Sequence, residues 1–485
     1  MKASARRTAA CLALILAQGS GRAFASPKVS MAGAYSVDIT PSLDTHRVLL
    51  AGYGAKGRRA RGVHDKLYAR VAVFSDGTKT VAVASLDLLG LYRADVLDLR
   101  RMARFDTPER SLFVAAGHTH SAPDTLGMWG PAPGISGVDR GYLRGVKEAV
   151  AAAVLTAYDR MKPAKLKTAA ARLDPKGLCR DRRDPAVIDP HLTVVSAETL
   201  DGKPIATLVN WSCHPEVLDA GNDLVSADFA GALCAKLEAE RGGACLFLAG
   251  SIGGLMTPEL EGPRGFAEVE RIGSELAGSA LKALSKAKAL AGFKVEYRSE
   301  EVSLPVENSR YLLFLPSLTF GHPLFDAAGK PLAESKAYTL AARHLFTRLS
   351  EEDRPWVRTE VSFLKLGQAC GLGIPGELFP ELALGGYKGE YRGSQPLTDP
   401  ANPDPPDLSQ APAGPYLREL MPCRTPFIVN LANDQIGYIV PEYDFKIRKS
   451  LTLLPRMPGH HYEETNSIGR SATGIVTDAA RRLMR

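Results

Sequence analysis

The chain has 485 residues, of which 45 % are apolar and 23 % are charged, and its formal net charge is +7. These values are typical of a globular protein. Lysines and arginines alternate with acidic residues and form no basic stripe between aromatic residues, which argues against nucleic acid as a partner. The positive balance is compatible with peripheral contact with an anionic membrane surface.

The first 25 residues have the three parts of a secretory signal peptide. Lys2, Arg6 and Arg7 precede the apolar stretch TAACLALILA, and Ala23 and Ala25 occupy the small positions of a cleavage site. This apolar stretch is too short to span a bilayer. The sequence therefore predicts export, either to the periplasm or to the extracellular medium, of a chain that begins at residue 26.

Five apolar segments further along the chain each run into a loop with a polar or glycine-rich start. They are SLFVAA before His118, PIATLVNWSC before His214, ACLFLAG before SIGGLMTPE, ACGLGI before Glu377 and PFIVNLAND before Tyr438. Helical periodicity over 146–161 and 268–287 adds two helices. The predicted fold class is α/β, with a mixed β-sheet core flanked by helices and the functional site in loops at strand ends.

The histidines at two of these strand ends predict a metal site. Side chains alternate along an extended segment, so His118 and His120, two residues apart, point to the same side. His214 comes from a distant strand. Two or three imidazoles and a carboxylate, for which Glu377 is the candidate, make a zinc site with an open position. Zinc in such a site lowers the pKa of bound water to about 7.

Two other interpretations of these residues stay open. Buried histidines can simply be held by backbone carbonyls, without a metal. Ser121 or Ser251 would be the nucleophile of a serine hydrolase, but the chain has no GxSxG elbow around either of them.

Four motifs follow one another along the chain: AGHTHSAPD, VNWSCHPEVLDAGNDLVSADFAGAL, GIPGE and LANDQIGYIVPEYDF. In sequence and in order they resemble the signature blocks of the neutral/alkaline non-lysosomal ceramidases. The opening AGAYSVDITP and the segment GVHDKLYARVAVF also resemble this family. The resemblance implies a catalytic domain over residues 26–485. Within it, the segment 387–415 is dense in Pro, Gly, Asp and Ser, which predicts an irregular, lid-like insertion, with a binding loop or a disordered insert as alternatives.

The resemblance also implies a ligand set and a reaction. One zinc ion would be held by His118, His214, Glu377 and Tyr438, and His120 would polarise the substrate carbonyl or move a proton. The implied reaction is hydrolysis of N-acylsphingosine to a fatty acid and a sphingoid base by zinc-activated water.

Three further residues receive roles from the resemblance alone. Arg182, or alternatively Arg183, corresponds to an arginine near the site, and Thr257 stands where the family has a serine important for catalysis. Tyr443 is expected to line the pocket.

Two departures from the family pattern leave the substrate open. The family's GDVSP block appears here as GLMTP at 254–258, with Leu255 in place of the aspartate. The chain ends soon after TGIVTDAARRLMR, so the C-terminal immunoglobulin-like domain is not expected. One alternative is a zinc hydrolase that acts on a different amide or ester. The other is a non-catalytic binding protein, but the chain has a suitable residue at each of the four ligand positions, which argues against it.

Overall fold

The computed structural model describes residues 29–313, 315–318, 321–344, 347, 349–447, 459 and 461–485. The signal peptide predicted over residues 1–25 lies outside these ranges. Within them, no helix is both long enough and apolar enough to cross a membrane.

The strands outnumber the helices, and six strands precede the first helix. The strands are β1 (Met31–Asp38), β2 (Leu49–Leu50), β3 (Arg58–Arg59), β4 (Gly62–Val63), β5 (Tyr68–Ser75), β6 (Thr80–Leu86), β7 (Asp106–Thr107), β8 (Arg110–Ala116), β9 (Lys162–Arg172), β10 (His191–Thr199), β11 (Pro204–Trp211), β12 (Leu224–Val225), β13 (Ala244–Ala249), β14 (Ala289–Ala291), β15 (Val295–Pro305), β16 (Trp356–Leu366), β17 (Ala369–Gly373), β18 (Glu377–Leu378), β19 (Thr425–Val429) and β20 (Tyr438–Ile439). The helices are α1 (Arg93–Ala103), α2 (Arg140–Asp159), α3 (Asp228–Arg241), α4 (Phe266–Ser285), α5 (Leu315–Leu318), α6 (Ser335–Arg343), α7 (Pro380–Leu384), α8 (Leu417–Leu420) and α9 (Ala472–Leu483).

Two mixed sheets face each other at the centre of the molecule. The larger has the strand order β13-β11-β10-β9-β1-β5-β6-β8-β7, with β14 paired to β9, and the smaller has the order β15-β16-β17-β19. The pairs β6–β8, β11–β13 and β17–β19 are parallel. Each parallel pair therefore brings two carboxyl ends to the same sheet edge.

Alternation along the strands creates the layers. In β6, Val81 and Val83 face the smaller sheet, where they join Phe113 and Leu364 in one cluster, while Ala82 and neighbouring residues face α1 and α2. The helices α3 and α4 cover the other half of the larger sheet, and α9 covers the outer face of the smaller one. The result is a four-layer arrangement of helices, sheet, sheet and helices, which confirms the predicted α/β class.

The five predicted strands are present as β8, β11, β13, β17 and β19, and both predicted helices are present. The helix predicted over 146–161 begins at Arg140 because the Asp139 carboxylate accepts from the backbone N–H groups of Gly141 and Tyr142 and caps the helix. A disulfide joins Cys370 in β17 to Cys423, two residues before β19.

The segment 387–415 is irregular, as expected, apart from one short 3₁₀ turn at Leu408–Gln410. It packs on the loop that contains residues 184–188, through bonds such as Ala186 N to the Leu397 carbonyl at 2.7 Å. Its role as a lid stays a prediction.

Candidate metal centre and active site

His118 and His120 leave the end of β8 through a tight turn. Gly117 N donates to the Leu86 carbonyl at 2.8 Å, and His118 has a φ of +72°, in the left-handed region that is unfavourable for a residue with a Cβ. The two rings do converge, with centroids 5.0 Å apart. They converge through this turn and not through the extended conformation that the sequence predicted.

Backbone carbonyls fix the rings of His118 and His214. Nδ1 of His118 donates to the Leu89 carbonyl at 2.7 Å, and Nδ1 of His214 donates to the Met256 carbonyl, also at 2.7 Å. Because Nδ1 carries the proton in each ring, Nε2 carries the lone pair. Both lone pairs point into the same space, since the two ring centroids are 5.0 Å apart.

Glu377 completes this space from a different part of the chain. The two-residue strands β18 and β20 pair in parallel, which sets Glu377 opposite Tyr438. Oε2 of Glu377 lies 3.1 Å from Nε2 of His214 and 3.7 Å from Nε2 of His118, while Oε1 accepts from Gln435 Nε2 at 3.0 Å. Two nitrogen lone pairs and a carboxylate oxygen this close together require a cation between them, either a proton or a metal ion.

The pKa shifts differ between the two histidines proposed as ligands. Burial lowers the pKa of His118 to about 4, against the opposing effect of Glu377. Burial, together with His118, His214 and Arg58, also lowers the pKa of His120 well below its usual value. Burial opposes ionisation of Glu377, but His118 and His214 more than offset it and hold the pKa of this carboxyl below its usual value. Burial opposes positive charge on His214, but Glu377 and Glu216 more than offset it and raise the pKa of this ring. Zinc binds neutral imidazoles and an ionised carboxylate, so a zinc ion would replace any proton that lies between His214 and Glu377.

The ring nitrogens of His118, His120 and His214 lie within 4.8 Å of one another, and all three residues are buried. Neither ring nitrogen of His120 has a hydrogen-bond partner among the described residues. Burial and the nearby Glu377 raise the pKa of Tyr438 well above its usual value. The Tyr438 hydroxyl would therefore need the charge of a bound metal to ionise and become a ligand.

A cavity opens beside this cluster, and four predicted site residues line it. These are His118, His120, Glu377 and Tyr438. The rest of the wall is mainly aromatic and aliphatic: Leu89, Tyr92, Leu126, Met128, Trp129, Tyr311 and Tyr462, with Gly52, Gln435, Gly437 and Asn466. No described residue of the segment 387–415 belongs to this wall.

Besides His214, three predicted residues lie outside the cavity wall. The Arg182 side chain is exposed, and its alternative, Arg183, is buried in ion pairs with Asp444, Glu463 and Glu464. Tyr443 lies in a 3₁₀ turn with its ring 5.9 Å from that of Tyr387. Their roles stay predictions.

Thr257, the third of these residues, reaches the site indirectly. Burial raises the pKa of the Glu216 carboxyl and the Thr257 side chain acts to lower it, and Oε2 of Glu216 lies 3.3 Å from Nδ1 of His120. The Tyr53 hydroxyl donates to the Glu216 backbone carbonyl at 3.3 Å, and its ring packs edge-on against His120 with centroids 4.8 Å apart. The sequence analysis missed Glu216 and Tyr53. A carboxylate two positions after His214 was the signal that could have revealed Glu216.

Comparison with known proteins supports the resemblance. Residues 31–246 match the family model described as neutral/alkaline non-lysosomal ceramidase, N-terminal. The fold is similar to the crystal structure of neutral ceramidase from Pseudomonas aeruginosa, with a TM-score of 0.66 and 17% identity over 94% of this chain and 74% of that one. A solved structure of a ceramidase complexed with C2 gives a TM-score of 0.66 and 17% identity over 94% of this chain and 75% of that chain. No curated protein matches the sequence.

Proposed function

We propose that this chain, whose residues 31–246 match the ceramidase family, is an exported zinc-dependent amide hydrolase of the ceramidase type. Its substrate would be a lipid-like amide such as N-acylsphingosine, cleaved to a fatty acid and a sphingoid base. One observation carries the proposal: the lone-pair nitrogens of His118 and His214 face the Glu377 carboxylate at 3.7 and 3.1 Å.

The donor set fits zinc. His118, His214, Glu377 and Tyr438 would hold the ion, and two of the four are oriented by backbone carbonyls behind them. A zinc ion bound there supplies a water of lowered pKa and polarises the substrate carbonyl.

His120 is the residue of this chain best suited to move a proton. It lines the cavity, it is neutral, and both of its ring nitrogens are free of hydrogen bonds to described residues. The nearby Glu216 carboxylate favours positive charge on the ring after it takes up a proton. His120 would accept a proton as the amide carbon is attacked and give it to the leaving amine.

Thr257, Arg182 and Tyr443 have weaker links to the reaction. Thr257 acts in this proposal through Glu216, whose pKa its side chain acts to lower. For Arg182 and Tyr443 the proposed role rests on the motif resemblance alone.

A zinc hydrolase of the same type with a different amide or ester substrate is the alternative. Leu255 and Thr257 differ from the family block, and they flank Met256, whose carbonyl orients His214. The change therefore lies directly behind a proposed ligand.

Export and peripheral membrane contact belong to the proposal as well. The signal-like N-terminus and the disulfide between Cys370 and Cys423 support an oxidising compartment outside the cytoplasm. Exposed Ile135 lies in the loop that follows Trp129 of the cavity wall, which supports contact with a lipid surface close to the site.

The test combines metal analysis with turnover of two ceramides, N-acetylsphingosine and N-hexadecanoylsphingosine. We expect one zinc per wild-type chain and release of sphingosine from at least one of the two. His118→Ala should lose the zinc and lower kcat/KM by more than about 100-fold, because even residues behind a ligand contribute about 10- to 100-fold.

The matched control is His191→Ala, because His191 lies on β10 outside the cavity wall. This variant should retain both zinc and turnover. Zinc without turnover of either ceramide would favour the alternative substrate. A wild-type chain that binds no zinc would refute the proposed mechanism.

A further inference from the structure

A chain of hydrogen bonds begins at Glu377 and leads from the cavity into the protein interior. Oε1 of Glu377 accepts from Nε2 of Gln435 at 3.0 Å, while Oε2 faces Nε2 of His214 at 3.1 Å. The two carboxylate oxygens therefore have different surroundings. Oε1 is bonded to a neutral amide, and Oε2 is the oxygen that faces the histidine nitrogens.

Gln435 is held at three points. Its backbone N–H donates to Oδ1 of Asp434 at 2.8 Å, its Oε1 accepts from the Gly437 N–H at 3.4 Å, and its Nε2 donates to Glu377. Because both the oxygen and the nitrogen of the side-chain amide are bonded, the amide has one preferred orientation. Gln435 lies between β19 and β20, so the same loop leads into Tyr438.

Asp434 anchors this loop in the protein interior. Besides the bond from Gln435, its Oδ1 accepts from the backbone N–H of Arg93 at 2.9 Å and from Nε2 of His322 at 2.7 Å. Asp434 and His322 are both 1 % exposed. A carboxylate buried this deeply requires such donors, since it has lost its contacts with water. Asp434 thus connects the loop to the start of α1 and to the segment that follows α5.

We propose that Gln435 is a positioning residue that restricts Glu377 to one metal-binding oxygen, Oε2. Asp434 and His322 hold Gln435 in the orientation that this requires. The inference rests on the proposed function and adds the residues behind one of its metal ligands. A glutamate that binds through one oxygen leaves room at a zinc ion for the water that attacks the substrate.

The surroundings of Gln435 support this role. Gln435 is 7 % exposed and belongs to a cavity wall that is mainly aromatic and aliphatic. An apolar side chain would fill this place without the cost of burying an amide. The bond from Gln435 to Glu377 offsets that cost and accounts for an amide at this position.

The zinc affinity of Gln435→Leu tests the role directly. Leucine is similar in size but has no donor, so Oε1 of Glu377 loses its bond. We expect zinc to bind about 10- to 100-fold more weakly than to wild type in competition with a chromophoric chelator. Gln410→Leu changes an exposed glutamine outside the cavity wall and should bind zinc like wild type. Wild-type affinity of Gln435→Leu would overturn the inference.

A second variant covers the case in which Gln435→Leu does not fold. Gln435→Asn keeps an amide but is shorter by one methylene group, so its donor no longer reaches Glu377. Thermal unfolding of the metal-free protein checks the fold of each variant. Zinc affinity of Gln435→Asn should fall as in Gln435→Leu, and an unchanged affinity would again contradict the role of the donor.

Cobalt substitution separates positioning of Glu377 from a loss of packing. The visible absorption of Co²⁺ weakens as the number of ligand atoms around the ion rises. Without the Gln435 donor, both oxygens of Glu377 are available to the ion. The visible bands of cobalt-loaded Gln435→Leu should therefore be weaker than those of wild type and Gln410→Leu. An unchanged spectrum would show that Gln435 does not control how Glu377 binds.

Two substitutions of His322 test the far end of the chain. His322→Gln keeps a nitrogen donor near the position of Nε2, whereas His322→Leu removes the donor to Asp434. Zinc affinity should fall in His322→Leu and stay close to that of wild type in His322→Gln. Equal zinc affinities in these two variants would exclude His322 from the positioning chain.

The outcomes separate this inference from the proposed function. A wild-type chain that binds zinc and turns over substrate, together with unchanged zinc affinity in Gln435→Leu, refutes the positioning role and leaves the hydrolase intact. A wild-type chain that binds no zinc refutes both.

Discussion

At the scale of single residues, two backbone carbonyls determine how the site can work. The Leu89 and Met256 carbonyls take the Nδ1 protons of His118 and His214 and leave both Nε2 lone pairs facing Glu377. His120 has no such partner, although Glu216 lies 3.3 Å from its Nδ1. This difference separates two histidines suited to hold an ion from one suited to move a proton.

Glu216→Gln should lower kcat by about 10- to 100-fold, with little change in KM or zinc content. The substitution keeps the shape of the side chain but removes the negative charge that stabilises positive charge on His120. Steady-state kinetics and metal analysis of the purified variant provide the measurement.

Asp219→Asn removes a half-exposed acid three residues further along the same loop and is the control for Glu216→Gln. Equal kinetics for Glu216→Gln and wild type would show that the Glu216 charge is not used in the reaction.

At the scale of elements, the site is assembled by strand ends and by a loop that covers His120. The ends of β8 and β11 and the paired strands β18 and β20 supply the proposed ligands. The loop 51–54 closes over His120 from the other side. A Cβ at Gly52 would lie 2.5 Å from Cγ of His120, and Gly52 has a φ of +103°. Only glycine allows the loop to approach the ring this closely.

We expect Gly52→Ala to reduce kcat/KM by about 10- to 100-fold while zinc stays bound, because the added methyl displaces the His120 ring. Gly54→Ala is a close control. Gly54 also has a positive φ, of +63°, but a Cβ there meets no atom within 4 Å. Kinetics and thermal unfolding of both variants distinguish displacement of the His120 ring from backbone strain. Equal losses of activity in Gly52→Ala and Gly54→Ala would show that the contact with His120 is not the cause.

At the scale of the whole molecule, a buried acidic cluster ties distant segments together. Arg183 pairs with Asp444 at 2.7 Å, with Glu463 at 2.9 Å and with Glu464 at 3.0 Å. Glu381 lies near this cluster, and its Oε2 has no hydrogen-bond partner among the described residues. Burial raises the pKa of Glu381 to about 8, with Asp444 and Glu463 adding to the rise and Arg183 opposing it.

Glu381 should therefore make the stability of the protein depend on pH. The usual pKa of a glutamate is 4.5, so between pH 4.5 and about 8 the native state holds a proton that the unfolded state has lost. Raising the pH through this window destabilises the native state by up to about 1.4 kcal/mol per pH unit. Glu381→Gln removes this dependence, and the variant should gain stability relative to wild type as the pH rises.

Denaturant unfolding of wild type and Glu381→Gln at pH 5, 6.5 and 8 measures this difference. Glu275→Gln, which changes an exposed side chain on α4, should follow the wild type at every pH. Parallel stability curves for Glu381→Gln and wild type would show that Glu381 is ionised in the native state.

The sequence by itself determined five of the strands, two of the helices and the motifs that carry the proposed ligands. The reason is that apolar runs, helical periodicity and polar strand ends are local properties of the chain. The order of the motifs was enough to indicate the family, and His118, His214, Glu377 and Tyr438 do come together in space.

The tertiary structure alone decided how these residues face one another and what surrounds them. The left-handed turn at His118, the approach of Glu216 and Tyr53 to His120, and the exposed position of Arg182 each depend on contacts between segments far apart in the chain. The size of the cavity depends on such contacts as well, because its wall combines residues from position 52 to position 466. Local propensity carries no information about such long-range packing, which is why these features could not be derived from the sequence.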